Sequence, residues 1–143
     1  MLGNFTFHNP TKLYFGENSL ENLGKELGKY GEKVMLVYGG GSIRKNGIYD
    51  TVLAELRKVG KQTVELSGVM PNPTIEKVME GAALAKKEAV DLILAVGGGS
   101  VCDYCKAVAG SAYCEHDPWE YYFNNFGEMT CLLYTSPSPR DPK

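Results

Sequence analysis

Two glycine turns, each followed by a serine, are the residues of this 143-residue chain whose types and spacing could bind a charged ligand. Gly97-Gly98-Gly99-Ser100 follows the apolar run Leu92–Val96, and Gly39-Gly40-Gly41-Ser42 follows the run Lys33–Tyr38. Glycine lets the backbone turn sharply and approach a ligand closely. Where a strand, a glycine turn and a helix start follow one another, unpaired N–H groups and the helix dipole favour phosphate. The sequence therefore predicts a phosphate-bearing ligand, and a nucleotide is the first candidate.

Neither turn has one of the better-known phosphate-loop patterns. Asp103 and Tyr104 stand where Gly-x-Gly-x-x-Gly would need glycine, and no Gly-Lys-Ser/Thr follows at the Walker A distance. A glycine turn of this kind could also be a flexible connection that the topology requires. Two such turns at two strand ends favour the binding of one extended ligand, because open parallel sheets bind ligands outside the carboxyl ends of their strands.

Strand and helix patterns alternate along the chain. The sequence predicts strands at 12–15, 33–38, 63–66 and 92–96, with a further strand near 131–134. Helical spacing predicts helices over 20–30 with Gly31 as C-cap, 48–56 stopped by Gly60, 75–85 with Thr74 as N-cap, and 100–111, and a further helix that starts at Asp117-Pro118-Trp119. This alternation predicts an α/β fold, a Rossmann-like parallel sheet with flanking helices.

The composition excludes several other classes of protein. The net charge is −2 with no basic block, which disfavours nucleic acid as a partner. No apolar run reaches membrane-spanning length and no signal-peptide pattern opens the chain, so a cytoplasmic protein is expected. Cys102 and Cys105 form a Cys-x-x-Cys without a second pair, and His8 and His116 are far apart, so no metal site is predicted here. The cysteines are expected to behave as small buried apolar residues.

Several ordered motifs together resemble the N-terminal domain of the iron-containing (group III) alcohol dehydrogenases. Within that family the chain is most similar to the NADPH-dependent butanol dehydrogenase or aldehyde reductase branch. The matching residues run from about residue 4 to about residue 130: Asn9-Pro10-Thr11-Lys12 with Phe15-Gly16, Tyr38-Gly39-Gly40-Gly41-Ser42 with Lys45-Asn46-Gly47, Pro71-Asn72-Pro73-Thr74, Gly97-Gly98-Gly99-Ser100-Val101 with Asp103 and Lys106, and Asp117-Pro118-Trp119.

The resemblance implies a role for each turn in binding a dinucleotide. Gly98, Gly99 and Ser100 would hold the pyrophosphate. The turn that begins at Gly39 would lie near the adenine ribose, through Gly40, Gly41 and Ser42, and Asn72 of the Pro-Asn-Pro loop would approach the same end. Asp103 would meet the nicotinamide side, although an acid there could instead serve the helix dipole of the first turn. Lys106 is expected to pair within the fold.

The turn after Tyr38 also bears on the choice of cofactor. NAD sites commonly place Asp or Glu against the ribose 2′-hydroxyl, whereas NADP sites need room and positive charge for a 2′-phosphate. Here glycine follows Tyr38, Ser42 can donate a hydrogen bond, and Arg44 and Lys45 add charge nearby. NADP(H) is therefore favoured over NAD(H). The alternative is that Arg44 and Lys45 are simply solvated surface residues.

The same resemblance implies that part of the enzyme is absent. Family members carry a helical C-terminal domain with an Asp and three His ligands for iron or zinc, and no such ligands follow here. The expected organisation is a dinucleotide-binding domain over 1–130 and a divergent tail over 131–143. The tail lacks the threonine- and glycine-rich segment of the family, which marks it as foreign, and its prolines and small polar residues favour disordered chain.

The resemblance further implies what the parent enzyme does. It would transfer a hydride between NADP(H) and a primary alcohol or aldehyde, such as butanol or butanal, and would form a homodimer. The divalent metal would polarise the substrate oxygen, so this fragment alone is expected to be inactive. A related enzyme, of the glycerol dehydrogenase or dehydroquinate synthase type, and a non-catalytic nucleotide-binding module stay open as alternatives.

Overall fold

A parallel β-sheet forms the centre of the computed structural model, which describes residues 3–112 and 133–135. Its strands in this part of the chain are β1 (Lys33–Tyr38), β2 (Gln62–Leu66), β3 (Leu92–Val96) and β4 (Leu133–Thr135). They lie in the order β2-β1-β3-β4, and every adjacent pair is parallel. The predicted α/β class is confirmed, as are the strands at 33–38, 63–66 and 92–96.

Helices connect the strands and cover both faces of the sheet. They are α1 (Leu23–Leu27), α2 (Ser42–Lys45), α3 (Ile48–Lys58), α4 (Ile75–Lys87) and α5 (Gly99–Ser111). The predicted N-cap of α4 is confirmed, because the Thr74 hydroxyl accepts the Lys77 N–H at 3.3 Å. Gly60 stands just beyond α3 with φ +72°, a left-handed conformation that suits glycine and ends the helix.

Alternation along the central strands divides the core into two layers. Met35 and Val37 of β1 pack in the cluster that includes α4 and α5. Val34, Leu36 and Tyr38 face the other way, into the cluster that includes α1 and α3. Successive strand residues point to opposite faces, so a strand covered on both faces must be apolar throughout. The unbroken apolar runs over 34–38 and 92–96 therefore predict buried strands.

The predicted strand over 12–15 is wrong. The structure has no regular element there, and Leu13 and Phe15 are 78% and 72% exposed. A strand needs a neighbour to complete its hydrogen bonds, and in the described residues this segment has none. Its side chains reach α1 instead: Lys12 lies 3.3 Å from Glu26, and the Tyr14 hydroxyl donates to the same carboxylate.

The predicted helix over 20–30 is shorter and less regular than expected. A 3-10 turn covers Ser19–Asn22, and α1 ends at Leu27 with Gly28 as its C-cap. The Tyr30 N–H bonds the Leu27 carbonyl at 3.2 Å, a tight turn spacing that keeps Tyr30 near the apolar layer without extending the helix. Apolar spacing thus predicted the buried face correctly and the helix end incorrectly.

The C-terminal segment contains one described element. β4 pairs with β3 in register, with Thr135 opposite Leu94, so three residues of the predicted tail over 131–143 belong to the sheet. The strand that the sequence predicts near 131–134 is confirmed at Leu133–Thr135. The predicted helix at Asp117-Pro118-Trp119 and the rest of the tail lie outside the described residues, and the proposed boundary between domain and tail stays a prediction.

We expect deletion of residues 136–143 to leave the melting temperature unchanged. This segment is rich in proline and small polar residues and offers little apolar area to bury. Deletion of residues 133–143 is the matched comparison, because it also removes the ladder between β4 and β3 and should lower the melting temperature. Circular dichroism melts of the three chains test this. A clear fall for the shorter deletion would show that 136–143 packs against the domain.

Candidate functional site

The strand order places a crevice between the two glycine turns. The chain passes from β1 to β2 on one side, then returns across β1 to β3 on the other. At such a reversal the loops that leave the two central strands diverge to opposite faces, and ligands of open α/β sheets bind there. Tyr38 and Val96, the last residues of β1 and β3, are opposite each other in the ladder. Gly39 and Gly97 therefore begin neighbouring loops at one edge of the sheet.

Crowding at Gly97 explains why glycine follows β3. A Cβ built on Gly97 would lie 2.6 Å from Cγ2 and 3.0 Å from Cβ of Val101. Val101 is buried on the first turn of α5, and its β-branched side chain has little freedom to move. Without a side chain at Gly97, the chain can turn from the strand into the helix within two residues. Glycine at this position thus sets where the N-terminus of α5 lies.

The N-terminus of α5 has the properties of an anion cradle. Gly98 is the N-cap in an extended conformation, so no side chain there bonds the first-turn N–H groups. The first bond of the helix runs from Cys102 N–H to Gly98 C=O at 3.2 Å. The N–H groups of Gly99, Ser100 and Val101 precede this bond and have no partner within the helix. The first turn carries no acidic residue, so its positive potential is not neutralised locally.

The turn after β1 is tied to the loop after β2. The Gly39 carbonyl accepts the Gly68 N–H at 2.8 Å, and the Val69 N–H reaches the Tyr38 carbonyl at 3.3 Å. A Cβ on Gly39 would lie 3.2 Å from the Val69 carbonyl oxygen, so this glycine is also crowded. Gly40, by contrast, is exposed with open space around its Cβ position.

Gly41 and Ser42 complete this turn at the start of α2. Gly41 also has open space around its Cβ position, and it is the N-cap of α2. Its carbonyl accepts the N–H groups of Arg44 and Lys45 at 3.1 and 3.2 Å. Ser42, the first residue of α2, is exposed. The exposed side of this turn can accommodate a ligand without displacing protein atoms.

The Pro-Asn-Pro loop leaves β2 at the same edge of the sheet. Asn72 is exposed and has φ +51°, in the left-handed region that Asn tolerates better than most residues. Three residues before it, Val69 is hydrogen-bonded to the end of β1. The structure thus places Asn72 on a loop anchored beside the turn after β1, as the predicted role requires.

Asp103 lies apart from the first turn of α5. The helix starts at Gly99, so Asp103 is its fifth residue, and the alternative of a first-turn acid serving the helix dipole is wrong. Its side chain is 76% exposed and lies 3.6 Å from the Lys106 ammonium, which confirms the expected pairing of Lys106 within the fold. The carboxylate is therefore open to solvent and to a ligand.

Arg44 belongs to a cluster that sequence reasoning did not find. Its guanidinium lies over the rings of Tyr38 and Tyr49, 5.7 and 4.7 Å from the centroids. It also donates to the Tyr38 hydroxyl at 2.8 Å. Both tyrosine hydroxyls bond the Glu65 carboxylate, at 3.1 Å from Tyr38 and 2.5 Å from Tyr49. The one sequence signal was an acidic residue inside the short strand β2. We call Tyr38, Tyr49 and Glu65 the tyrosine platform.

The described residues give little support for a reactive thiol, a metal site or a membrane span. Cys105 is buried in the apolar core, and burial raises the pKa of its thiol well above the usual range. No group of three or more His, Cys, Asp or Glu side chains in this part of the chain could hold a metal ion. Within the same residues, none of the helices is long and apolar enough to cross a membrane.

These features define the class of the protein: an α/β domain with a Rossmann-like sheet and glycine turns at its topological switch point. The model of the family described as iron-containing alcohol dehydrogenase matches residues 10–136. The chain belongs to that family, so the resemblance found in the sequence is confirmed.

Relatives and solved structures agree with this assignment. A probable NADH-dependent butanol dehydrogenase of Bacillus subtilis is 50% identical over 117 residues, which are 82% of this chain and 30% of that protein. The NADPH-dependent aldehyde reductase YqhD of Escherichia coli is 39% identical over 82% of this chain and 30% of its own length. The crystal structure of NADH-dependent butanol dehydrogenase A from Thermotoga maritima has a TM-score of 0.87 at 46% identity, over 93% of this chain and 34% of that one. The chain thus spans about a third of the proteins it matches.

Proposed function

We propose that this chain is the dinucleotide-binding part of an oxidoreductase that transfers a hydride between NADP(H) and a small primary alcohol or aldehyde. The observation that carries the proposal is the N-terminus of α5, free of a side-chain cap and placed by Gly97 at the switch point of the sheet. The nicotinamide would supply the hydride chemistry, and the protein would bind and orient it. The names of the relatives support this reaction class.

The proposed binding residues divide between the two turns. Gly98, Gly99 and Ser100 would hold the pyrophosphate through the first-turn N–H groups of α5. Gly39, Gly40, Gly41, Ser42 and Asn72 would line the adenosine end, and Asp103 the nicotinamide end. Titration of the 143-residue chain with NADPH and with NADH tests the proposal. Failure of both cofactors to bind would contradict it.

We propose NADP(H) as the preferred cofactor, although the relatives point both ways. Four of them are named as NADH-dependent and three as NADPH- or NADP-dependent. In this chain no acid follows β1, Gly40 leaves open space, and Arg44 and Lys45 follow directly on α2. Room and positive charge are what a 2′-phosphate needs.

We expect Gly40→Asp to weaken NADPH binding about tenfold relative to NADH, or ~1.4 kcal/mol. The new carboxylate would repel the 2′-phosphate and could accept a hydrogen bond from the NAD ribose. Gly40 is the suitable position because its Cβ site is open, whereas a side chain at Gly39 would press on the Val69 carbonyl. Gly40→Ala is the matched control for the added side chain. Titration of both cofactors gives the ratio, and an unchanged ratio would mean that this turn does not meet the 2′-phosphate.

Ser100→Ala tests the pyrophosphate contact independently of the 2′-phosphate contact. The pyrophosphate is common to both cofactors, so this substitution should weaken NADPH and NADH to the same extent. A change confined to one cofactor would place Ser100 elsewhere.

The substrate, the iron or zinc of the complete enzyme, the homodimer and the cytoplasmic location stay predictions from the sequence. The glycerol dehydrogenase or dehydroquinate synthase type and the non-catalytic module remain the alternatives. In the described residues, no group of three or more His, Cys, Asp or Glu side chains could hold such a metal.

A further inference from the structure

We propose that Arg44 is the anchor for the 2′-phosphate of NADPH, and that the tyrosine platform of Tyr38, Tyr49 and Glu65 holds its guanidinium ready for that contact. The inference rests on the proposed dinucleotide-binding function and names residues within it. It assigns this role to Arg44 and not to its neighbour Lys45, because in the described residues the Arg44 side chain is held by aromatic and hydrogen-bond contacts.

The first step is the location of Arg44. It lies on α2, and its N–H is bonded to the Gly41 carbonyl at 3.1 Å, so its backbone is fixed to the turn after β1. Tyr38, beneath its side chain, is the last residue of β1 and is 2% exposed. The guanidinium is therefore held at the carboxyl edge of the sheet, beside the turn proposed to meet the adenine ribose.

The second step is the way the side chain is held. A guanidinium can stack on an aromatic face and still use its outer N–H groups, which a lysine ammonium cannot do in the same way. The rings of Tyr38 and Tyr49 are 5.5 Å apart at 67°, an edge-to-face arrangement that forms one surface for Arg44. The hydrogen bond from Arg44 to the Tyr38 hydroxyl uses one Nη2 donor. Arg44 is exposed, so other guanidinium N–H groups can reach a phosphate.

The third step is the role of Glu65. It lies on β2 opposite Leu36, so it faces the same side of the sheet as Tyr38. Its two carboxylate oxygens fix the two tyrosine hydroxyls, and the bond to Glu65 raises the pKa of Tyr49 to about 12. The Tyr49 hydroxyl therefore donates to Glu65 and is fixed in position. Glu65 is a positioning residue, since it acts on the ligand through the tyrosines and Arg44.

A preorganised anchor loses less conformational entropy when the ligand binds, so the platform should raise affinity for the 2′-phosphate specifically. We expect Arg44→Ala to weaken NADPH binding about tenfold and to leave NADH binding unchanged. Arg44→Lys should not restore the lost affinity, because an ammonium cannot combine stacking with two-point phosphate contact. Arg57→Ala, which removes the same charge at the far end of α3, is the matched control and should leave both affinities unchanged.

The positioning role has its own readout. Glu65→Gln and Tyr49→Phe should each weaken NADPH binding severalfold, again with NADH unchanged. In the Arg44→Ala background, Glu65→Gln should cause no further loss, because its effect passes through Arg44. Titration with adenosine 2′,5′-bisphosphate and with AMP isolates the 2′-phosphate from the rest of the cofactor and should give the same pattern.

The outcomes distinguish this inference from the proposed function. If the wild-type chain binds neither cofactor, the dinucleotide-binding function is contradicted, and this inference with it. If both cofactors bind and Arg44→Ala leaves their ratio unchanged, the dinucleotide function stands and the anchor is wrong. A rise in NADPH affinity on Glu65→Gln would show that the platform withholds Arg44 from the phosphate, which also overturns the inference.

Discussion

Gly97→Ala should weaken binding of both NADPH and NADH on the order of 100-fold, the loss of two or three hydrogen bonds to the pyrophosphate. The new methyl group would lie 2.6 Å from Cγ2 of Val101, so α5 must move away from β3. The N–H groups of its first turn would then miss the phosphate. The same crowding should lower the free energy of unfolding by about 1–3 kcal/mol. Cofactor titration and denaturant unfolding measure the two effects.

A second substitution tests the cause. Val101→Ala removes the nearest atom, so the double variant Gly97→Ala/Val101→Ala should regain part of the lost affinity. Its remaining Cβ contact, at 3.0 Å, needs a shift of only a few tenths of an ångström. Gly99→Ala, whose Cβ site is open, is the control for stability and should unfold like the wild type. Wild-type binding by Gly97→Ala would refute the idea that this glycine positions the cradle.

Gly81→Ala should destabilise the domain by about 1–3 kcal/mol, because the added methyl group has no room between α4 and α5. It would lie 2.8 Å from Cγ2 of Val108 and 3.2 Å from Cζ of Tyr104, with the Tyr104 hydroxyl oxygen closer still. Tyr104 is 1% exposed, and its hydroxyl donates to the Lys77 carbonyl at 2.6 Å, so it cannot move without losing that bond. For a domain of this size the melting temperature should fall by roughly 3–10 °C.

Helix propensity opposes this effect and supplies the control. Alanine in place of helical glycine gains up to about 1 kcal/mol where nothing clashes. Gly28→Ala offers that case, since Gly28 has right-handed φ −61° and its Cβ would meet the nearest atom, the Gly24 carbonyl oxygen, at 3.6 Å. It should unfold at the wild-type temperature or slightly above. A Gly81→Ala variant that also gains stability would show that α4 and α5 separate more easily than their packing indicates.

The sequence by itself determined the elements whose causes are local. Residues 34–38 of β1 and all of β3 are apolar without interruption, because both faces of a central parallel strand are covered. The glycine turns follow from the sharp change of direction after each strand, and the start of α4 from the hydroxyl of Thr74. These features depend on only a few neighbouring residues, so the sequence pattern alone predicts them.

Tertiary structure alone decided the features that depend on partners distant in sequence. Residues 12–15 read as a strand, yet in the described residues no neighbouring strand completes their hydrogen bonds. The two turns face one crevice because β1 and β3 pair while β2 lies on the other side of β1. Arg44 lies over Tyr38 and Tyr49, whose hydroxyls bond Glu65 on another strand, and these contacts exist only in the folded chain. Strand pairing and side-chain stacking join residues that are distant in sequence, so the local sequence pattern cannot predict them.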